Sequence, residues 1–139
     1  MKVENILQPT GDQFRNFRDT STGKPIFMLN LLKFREKAEY EDGRDTDLSG
    51  REAYAIYGKN TADIVRGLGG QVIFGGVARN LLIGHVDDLW DQVAIVEYPS
   101  MEAMAQMMRM PEYQKGHPHR NAGLEGQLLI ECSGHGDLK

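Results

Sequence analysis

Ile26-Phe27-Met28-Leu29-Asn30-Leu31-Leu32-Lys33-Phe34 is the stretch on which the fold turns. It is apolar at both odd and even positions and rich in residues that sit well on a pleated surface. That pattern predicts a strand buried on both faces rather than an amphipathic edge. A strand of this kind needs a layer above it and another below.

Downstream lies Arg35 to Asp47, dense in charge and interrupted by Gly43, which reads as a solvated loop. Ser49 and Glu52 then have capping-box spacing, with Leu48 and Ala53 placed as a hydrophobic staple. Ala53, Ile56, Tyr57, Ile64 and Leu68 recur near helical spacing, and Gly67, Gly69 and Gly70 end the helix. Gln71 to Ile83 reads as a second strand with a bulge or bend at Gly75-Gly76. Gly84 to Leu89 carries turn formers, and Trp90 to Tyr98 reads as a third strand. Ser100 caps a helix with Met101, Met104, Met107 and Met108 on its buried side, which Pro111 closes. A connection containing histidine and glycine leads to a last strand over Gln127 to Ser133. Upstream of Pro25, Thr10 and Gln13 form another capping box ahead of Phe14 and Phe17, marking a short extra N-terminal helix.

The order strand, helix, strand, strand, helix, strand is that of an α+β, ferredoxin-like βαββαβ sandwich: a four-stranded antiparallel sheet with helices on one face. Residues 1–139 are expected to be a single domain, with 1–24 an appendage, 25–133 the core and 134–139 a frayed tail. Strands apolar on both parities leave the second sheet face to be covered, and a second copy of the chain is the simplest cover. A homodimer is expected.

Composition bounds the function. The 139 residues are 40% hydrophobic and 26% charged, with one cysteine, and at this length a real core forms without disulfides or a structural metal. The net charge is -4 and no long Lys/Arg cluster offsets it, which argues against a nucleic-acid partner. The most apolar stretch is too short and too interrupted to span a membrane, and Met1-Lys2-Val3-Glu4-Asn5 lacks the apolar run of a signal peptide. A cytoplasmic location is expected.

Met28-Leu29-Asn30-Leu31-Leu32-Lys33-Phe34, Tyr54 with Tyr57, Glu97-Tyr98-Pro99-Ser100, Pro111-Glu112-Tyr113-Gln114 and His119-Arg120 occur in an order and spacing that resemble the family known as domain of unknown function 1330. That family stands within the dimeric α/β-barrel group of ferredoxin-like folds. The resemblance runs from about Ile26 to Ser133 and implies a homodimer whose sheets face each other, with a small cavity per subunit. It implies no particular reaction, because the same architecture serves cofactor-free monooxygenases, muconolactone isomerases and haem-handling enzymes.

Several residues carry candidate chemistry. Asn30 places an amide in the middle of an apolar strand, so something must bond it: a substrate oxygen in the dimer cavity, or neighbouring backbone. His117-Pro118-His119-Arg120 gathers imidazole and guanidinium into one turn, with Lys115 nearby. Arg120 would grip a small anion and His117 or His119 would move protons as catalytic groups; a solvated basic loop is the plainer reading. Tyr54 and Tyr57, three apart on the capped helix, share a face that either sends phenols to a pocket or packs on the sheet. Trp90 and Tyr98 have the same strand parity and are the third strand's candidates for the cavity, Glu97 lying on the opposite face.

No metal or cofactor is expected. His117 and His119 lack the further ligands of a zinc site, and Asp45-Thr46-Asp47 opens like a calcium loop but meets Ile56 where the closing glutamate belongs. The glycine pairs lack phosphate-loop spacing, and methionines at helical spacing read as core. The sequence thus favours a protein that binds or transforms a small anionic metabolite, with a non-catalytic dimeric module and a haem binder as alternatives that an absorbance spectrum and a metabolite screen separate.

Overall fold

The computed structural model describes residues 1–138 and has the order α1 (Gly11–Asp19), β1 (Ile26–Phe34), α2 (Gly50–Gly67), β2 (Gln71–Val77), β3 (Gln92–Tyr98), α3 (Met101–Arg109), α4 (Pro111–Gly123) and β4 (Leu124–Cys132). The sheet order is β2-β3-β1-β4 and every pairing is antiparallel, so the chain is an α+β, ferredoxin-like sandwich. Its second crossover is split into two helices. A 3-10 turn at His135–Leu138 ends the described chain, and Lys139 of the expected tail lies outside the described residues.

Both capping boxes form. Thr10 accepts from the backbone of Gln13 and Ser49 from that of Glu52, while the Gln13 and Glu52 side chains reach back to the cap nitrogens. Each box satisfies two backbone donors that a bare helix start would leave open.

The β1 register fixes which side chains share a face. Met28 lies opposite Val96 and Glu131, Asn30 opposite Ala94 and Leu129, and Ile26 opposite Tyr98. These positions face the helices. Ile26, Met28 and Tyr98 pack there with Val65 of α2, Met101 and Met107 of α3 and Tyr113 of α4. The other face carries Leu29, Leu31, Val93, Ile95, Leu128 and Ile130, and no helix among the described residues lies over it.

Four local readings are corrected. α3 ends at Arg109, just ahead of Pro111, as expected, but Pro111 also opens a further helix: it occupies the first turn of α4, where its missing N–H and fixed φ suit a helix start. The basic segment is therefore helix, with Pro118 inside it, and Gly116 lets α4 lie close on α2. A Cβ at Gly116 would come within 3.0 Å of the Asn60 amide. β2 stops at Val77 instead of Ile83, and its bulge falls between Val72 and Phe74, ahead of the glycine pair. The charged loop is docked as well as solvated, for Ala38 and Tyr40 are buried with Ala53 and Ala122, and Glu39 N–H donates to the Ala122 carbonyl at 3.0 Å. Two small anchors hold a segment whose average composition is polar.

The N-terminal segment is also more than an appendage in space. Ile6 bridges to Gln127 of β4, and Phe17 of α1 packs against the main core.

Candidate functional site

Between the helix-covered face of the sheet and α2, α3, α4 and the N-terminal segment lies a cavity of about 1060 Å³. It sits inside the chain's own layers. Met28, Met104, Met107 and Met108 give it a pliable apolar wall, and Tyr54, Tyr57, Tyr98 and Tyr113 give it phenols. It reaches solvent at the edge strands, where Val72 and Leu129 are exposed.

A chain of hydrogen bonds crosses the cavity wall. The Arg120 guanidinium donates through Nη2 to the Leu7 carbonyl at 2.6 Å and to Gln127 Oε1 at 2.8 Å, and through Nη1 to Asn121 Oδ1 at 3.3 Å. Gln127 Nε2 in turn donates to Asn30 Oδ1 at 3.3 Å, and Asn30 Nδ2 donates to the carbonyls of Met28 at 3.1 Å and Ala94 at 3.4 Å. At the other end Asn121 Nδ2 meets His117 Nδ1 at 3.3 Å. Asn30, Arg120 and His117, far apart in sequence, are thus brought into one network.

Arg120 is 9% exposed and pairs with no carboxylate among the described residues. Three of its five N–H groups are engaged with neutral acceptors, leaving two without a partner among the described residues. A buried cation served only by neutral groups is costly, and an anion beside it lowers that cost.

The aromatic wall is continuous. Tyr54 packs on Phe34 with ring centroids 5.4 Å apart and on Tyr57 at 5.3 Å; Tyr57 meets Tyr113 at 5.8 Å, with their hydroxyls 3.0 Å apart, and Tyr113 meets His117 at 5.9 Å. Burial, then the neighbouring Tyr57, pushes the phenols of Tyr54, Tyr98 and Tyr113 well above the ordinary tyrosine range, so they stay protonated and can donate. Thr61 adds a buried hydroxyl on the same wall with no partner among the described residues.

Two of the residues singled out in the sequence stand elsewhere. Trp90 lies in the β2–β3 loop, outside β3, and donates from Nε1 to Asn5 Oδ1 at 2.7 Å. His119 is two positions from His117 on α4 and so points to another side, where its Nδ1 is 2.6 Å from the hydroxyl of Tyr40. Tyr113, Gln127, Thr61 and the N-terminal Leu7 were not singled out. Of these only Tyr113 had a signal, its place in the Pro111-Glu112-Tyr113-Gln114 motif.

Burial first, and the Arg120 charge second, lower the His117 pKa below its ordinary 6.5, against a smaller pull from Glu41. Unfolding releases a more basic imidazole, so the unfolded chain takes up protons more readily. Stability is full above pH 6.5 and falls as pH drops below that value, by at most about 1.4 kcal/mol per pH unit for one proton. Urea unfolding at pH 7.5 and 5.5 should show this component in the native chain and not in His117→Gln; equal pH dependence in both would refute it.

No helix among the described residues is long and apolar enough to cross a membrane, and no group of three or more His, Cys, Asp or Glu among them is placed to hold a metal.

The chain is similar over nearly its whole length to RPA0582, a protein of unknown function from Rhodopseudomonas palustris. Against the crystal structure of its methylated form the identity is 40%, covering 95% of this chain and 96% of that one, with a TM-score of 0.85. Against a second crystal structure of the same protein the values are 38%, 94%, 98% and 0.84. A Bacteroides fragilis protein of unknown function, described as dimeric and ferredoxin-like, is far more distant: 11% identity over 82% of this chain and 99% of that one, with a TM-score of 0.46. No curated protein matches the chain. The model of the domain of unknown function DUF1330 matches residues 44–131, the span that holds α2, the Tyr54–Tyr57–Tyr113 wall and Arg120, and the chain belongs to that family.

Proposed function

We propose that the protein binds a small carboxylate with an apolar, ring-sized body in the cavity between sheet and helices. The observation that carries this reading is Arg120: a buried guanidinium on the cavity wall whose partners are all neutral. The carboxylate would take the two N–H groups left over, and the methionines and tyrosines would cover the body. Asn30 contributes by holding Gln127, which holds Arg120. In this reading Tyr54, Tyr57 and Tyr98 line the ligand, while Trp90 and His119 serve the fold. A thermal-shift screen of aromatic and aliphatic carboxylates against the matching amides tests it. Carboxylates should raise the Tm and amides should not. A set in which neither does so leaves the second reading, a dimeric module without a ligand.

That second reading has its own support, and dimerisation is compatible with both. The helix-free sheet face exposes Phe74 at 54% and Ile130 at 44%, and the β2–β3 loop adds Leu82 at 91% and Ile83 at 85%. An apolar surface of this extent fits a second copy of the chain. Light scattering should give a homodimer at micromolar concentration and a monomer for Phe74→Glu, since a carboxylate there would be buried unpaired at the interface. A native monomer would contradict it.

A further inference from the structure

We infer that His117 is held as a neutral imidazole with its proton on Nε2, and that it serves the ligand as a fixed hydrogen-bond donor rather than as an acid or base. This rests on the carboxylate reading for its ligand and on geometry alone for its tautomer. The geometry begins at Arg120, which can only donate. Its Nη1 lies against one end of the Asn121 amide, and the amide of Gln8 donates to that same Asn121 oxygen at 3.3 Å. With two donors on Oδ1, the other end of Asn121 must be Nδ2, and it faces His117 Nδ1. A nitrogen that receives an N–H carries no proton of its own, so in the neutral ring the proton stands on Nε2.

The same logic leaves little room for a charged ring. Protonating Nδ1 would set it against the Asn121 N–H, beside the Arg120 cation. The other groups facing the ring are the Tyr113 ring and Glu41 from the docked loop. His117 and Arg120 are three apart on α4, on one side of the helix, and both line the cavity.

With both residues on the cavity wall, the guanidinium and an Nε2–H turned into the cavity would recognise two acceptors. The structure therefore points to a carboxylic acid with an adjacent carbonyl oxygen, a 2-oxo acid, in preference to the same acid without it. No proton moves in this arrangement, which stabilises negative charge drawn onto the carbonyl oxygen.

The tautomer is read by long-range proton–nitrogen NMR of the imidazoles, with the His117 signals assigned as those lost in His117→Gln. Nε2–H in the native chain, relaxing to a mixture in Asn121→Leu, is the expected result. An Nδ1–H tautomer overturns the donor assignment whatever binds. Titration calorimetry with phenylpyruvate and 3-phenylpropanoate tests the ligand. The oxo acid should bind about tenfold tighter, one donated hydrogen bond. His117→Gln, whose amide nitrogen can stand in for Nε2, should keep the preference and His117→Leu should lose it. Equal binding of the two acids overturns the 2-oxo specificity and leaves the carboxylate reading standing; binding of neither overturns both.

Discussion

Arg120→Met should cost at least about 100-fold in affinity for 3-phenylpropanoate or any carboxylate that raises the native Tm. The magnitude follows from the two N–H groups left without a partner among the described residues. Each hydrogen bond to a charged acceptor is worth about 1.5–3 kcal/mol, so two amount to roughly 3 kcal/mol or more. Methionine keeps similar length and adds an apolar side chain to a wall that already holds Met104, Met107 and Met108. The substitution leaves the Leu7 carbonyl and Gln127 Oε1 without their donor, which destabilises the fold, and removes a buried cation without a counter-charge, which stabilises it. The two oppose each other, so the readout is the ligand-induced Tm shift and the calorimetric Kd, not the Tm of the free protein. Asn30→Ala should cost about tenfold or less, because the Asn30 amide is already bonded to Met28, Ala94 and Gln127 and reaches the ligand only through Arg120. Both variants should keep the oligomeric state of the native chain. An Arg120→Met protein that binds carboxylates as the native chain does would show that the charge is not the anchor.

The sequence made some of this legible because the relevant physics is local. A capping box is a four-residue affair, and both boxes form where Thr10 and Ser49 announced them. The alternation around β1 and β3 is equally short-range and puts Tyr98 opposite Ile26 on the helix side. Asn30 was flagged because a buried amide needs partners, and its partners prove to be protein groups. What escaped depended on tertiary contact. His117-Pro118-His119-Arg120 contains residues that favour a turn in isolation; only packing of α4 on α2 makes them helix, and only then do His117 and His119 part company. Gln127 and Leu7 hold Arg120 without any motif, because one is brought in by strand pairing and the other by an N-terminal segment that bridges to β4. Trp90 was placed by parity in a strand that starts two residues later.

The same α2–α4 contact predicts a sharp contrast between two glycines. Gly123→Ala should destabilise the protein by at least about 3 kcal/mol, enough to unfold a marginal domain. A Cβ there would lie 2.3 Å from the Gly50 carbonyl, 2.8 Å from the Tyr54 backbone nitrogen and 3.2 Å from Tyr54 Cβ. These are mainly backbone atoms at the start of α2, which cannot turn aside as a flexible side chain would. The helices must separate, and that movement carries Tyr54 away from α4, on which Arg120 sits. Gly58 lies on α2, and a Cβ there meets only the Tyr54 ring at 3.9 Å, an ordinary contact. Its backbone is helical, so alanine should stabilise by about 0.5–1 kcal/mol by restricting the unfolded chain. Urea denaturation of the pair measures both signs. A Gly123→Ala protein as stable as the native chain would mean that α2 and α4 are not held at backbone contact, and the cavity wall that depends on their spacing would lose its physical basis.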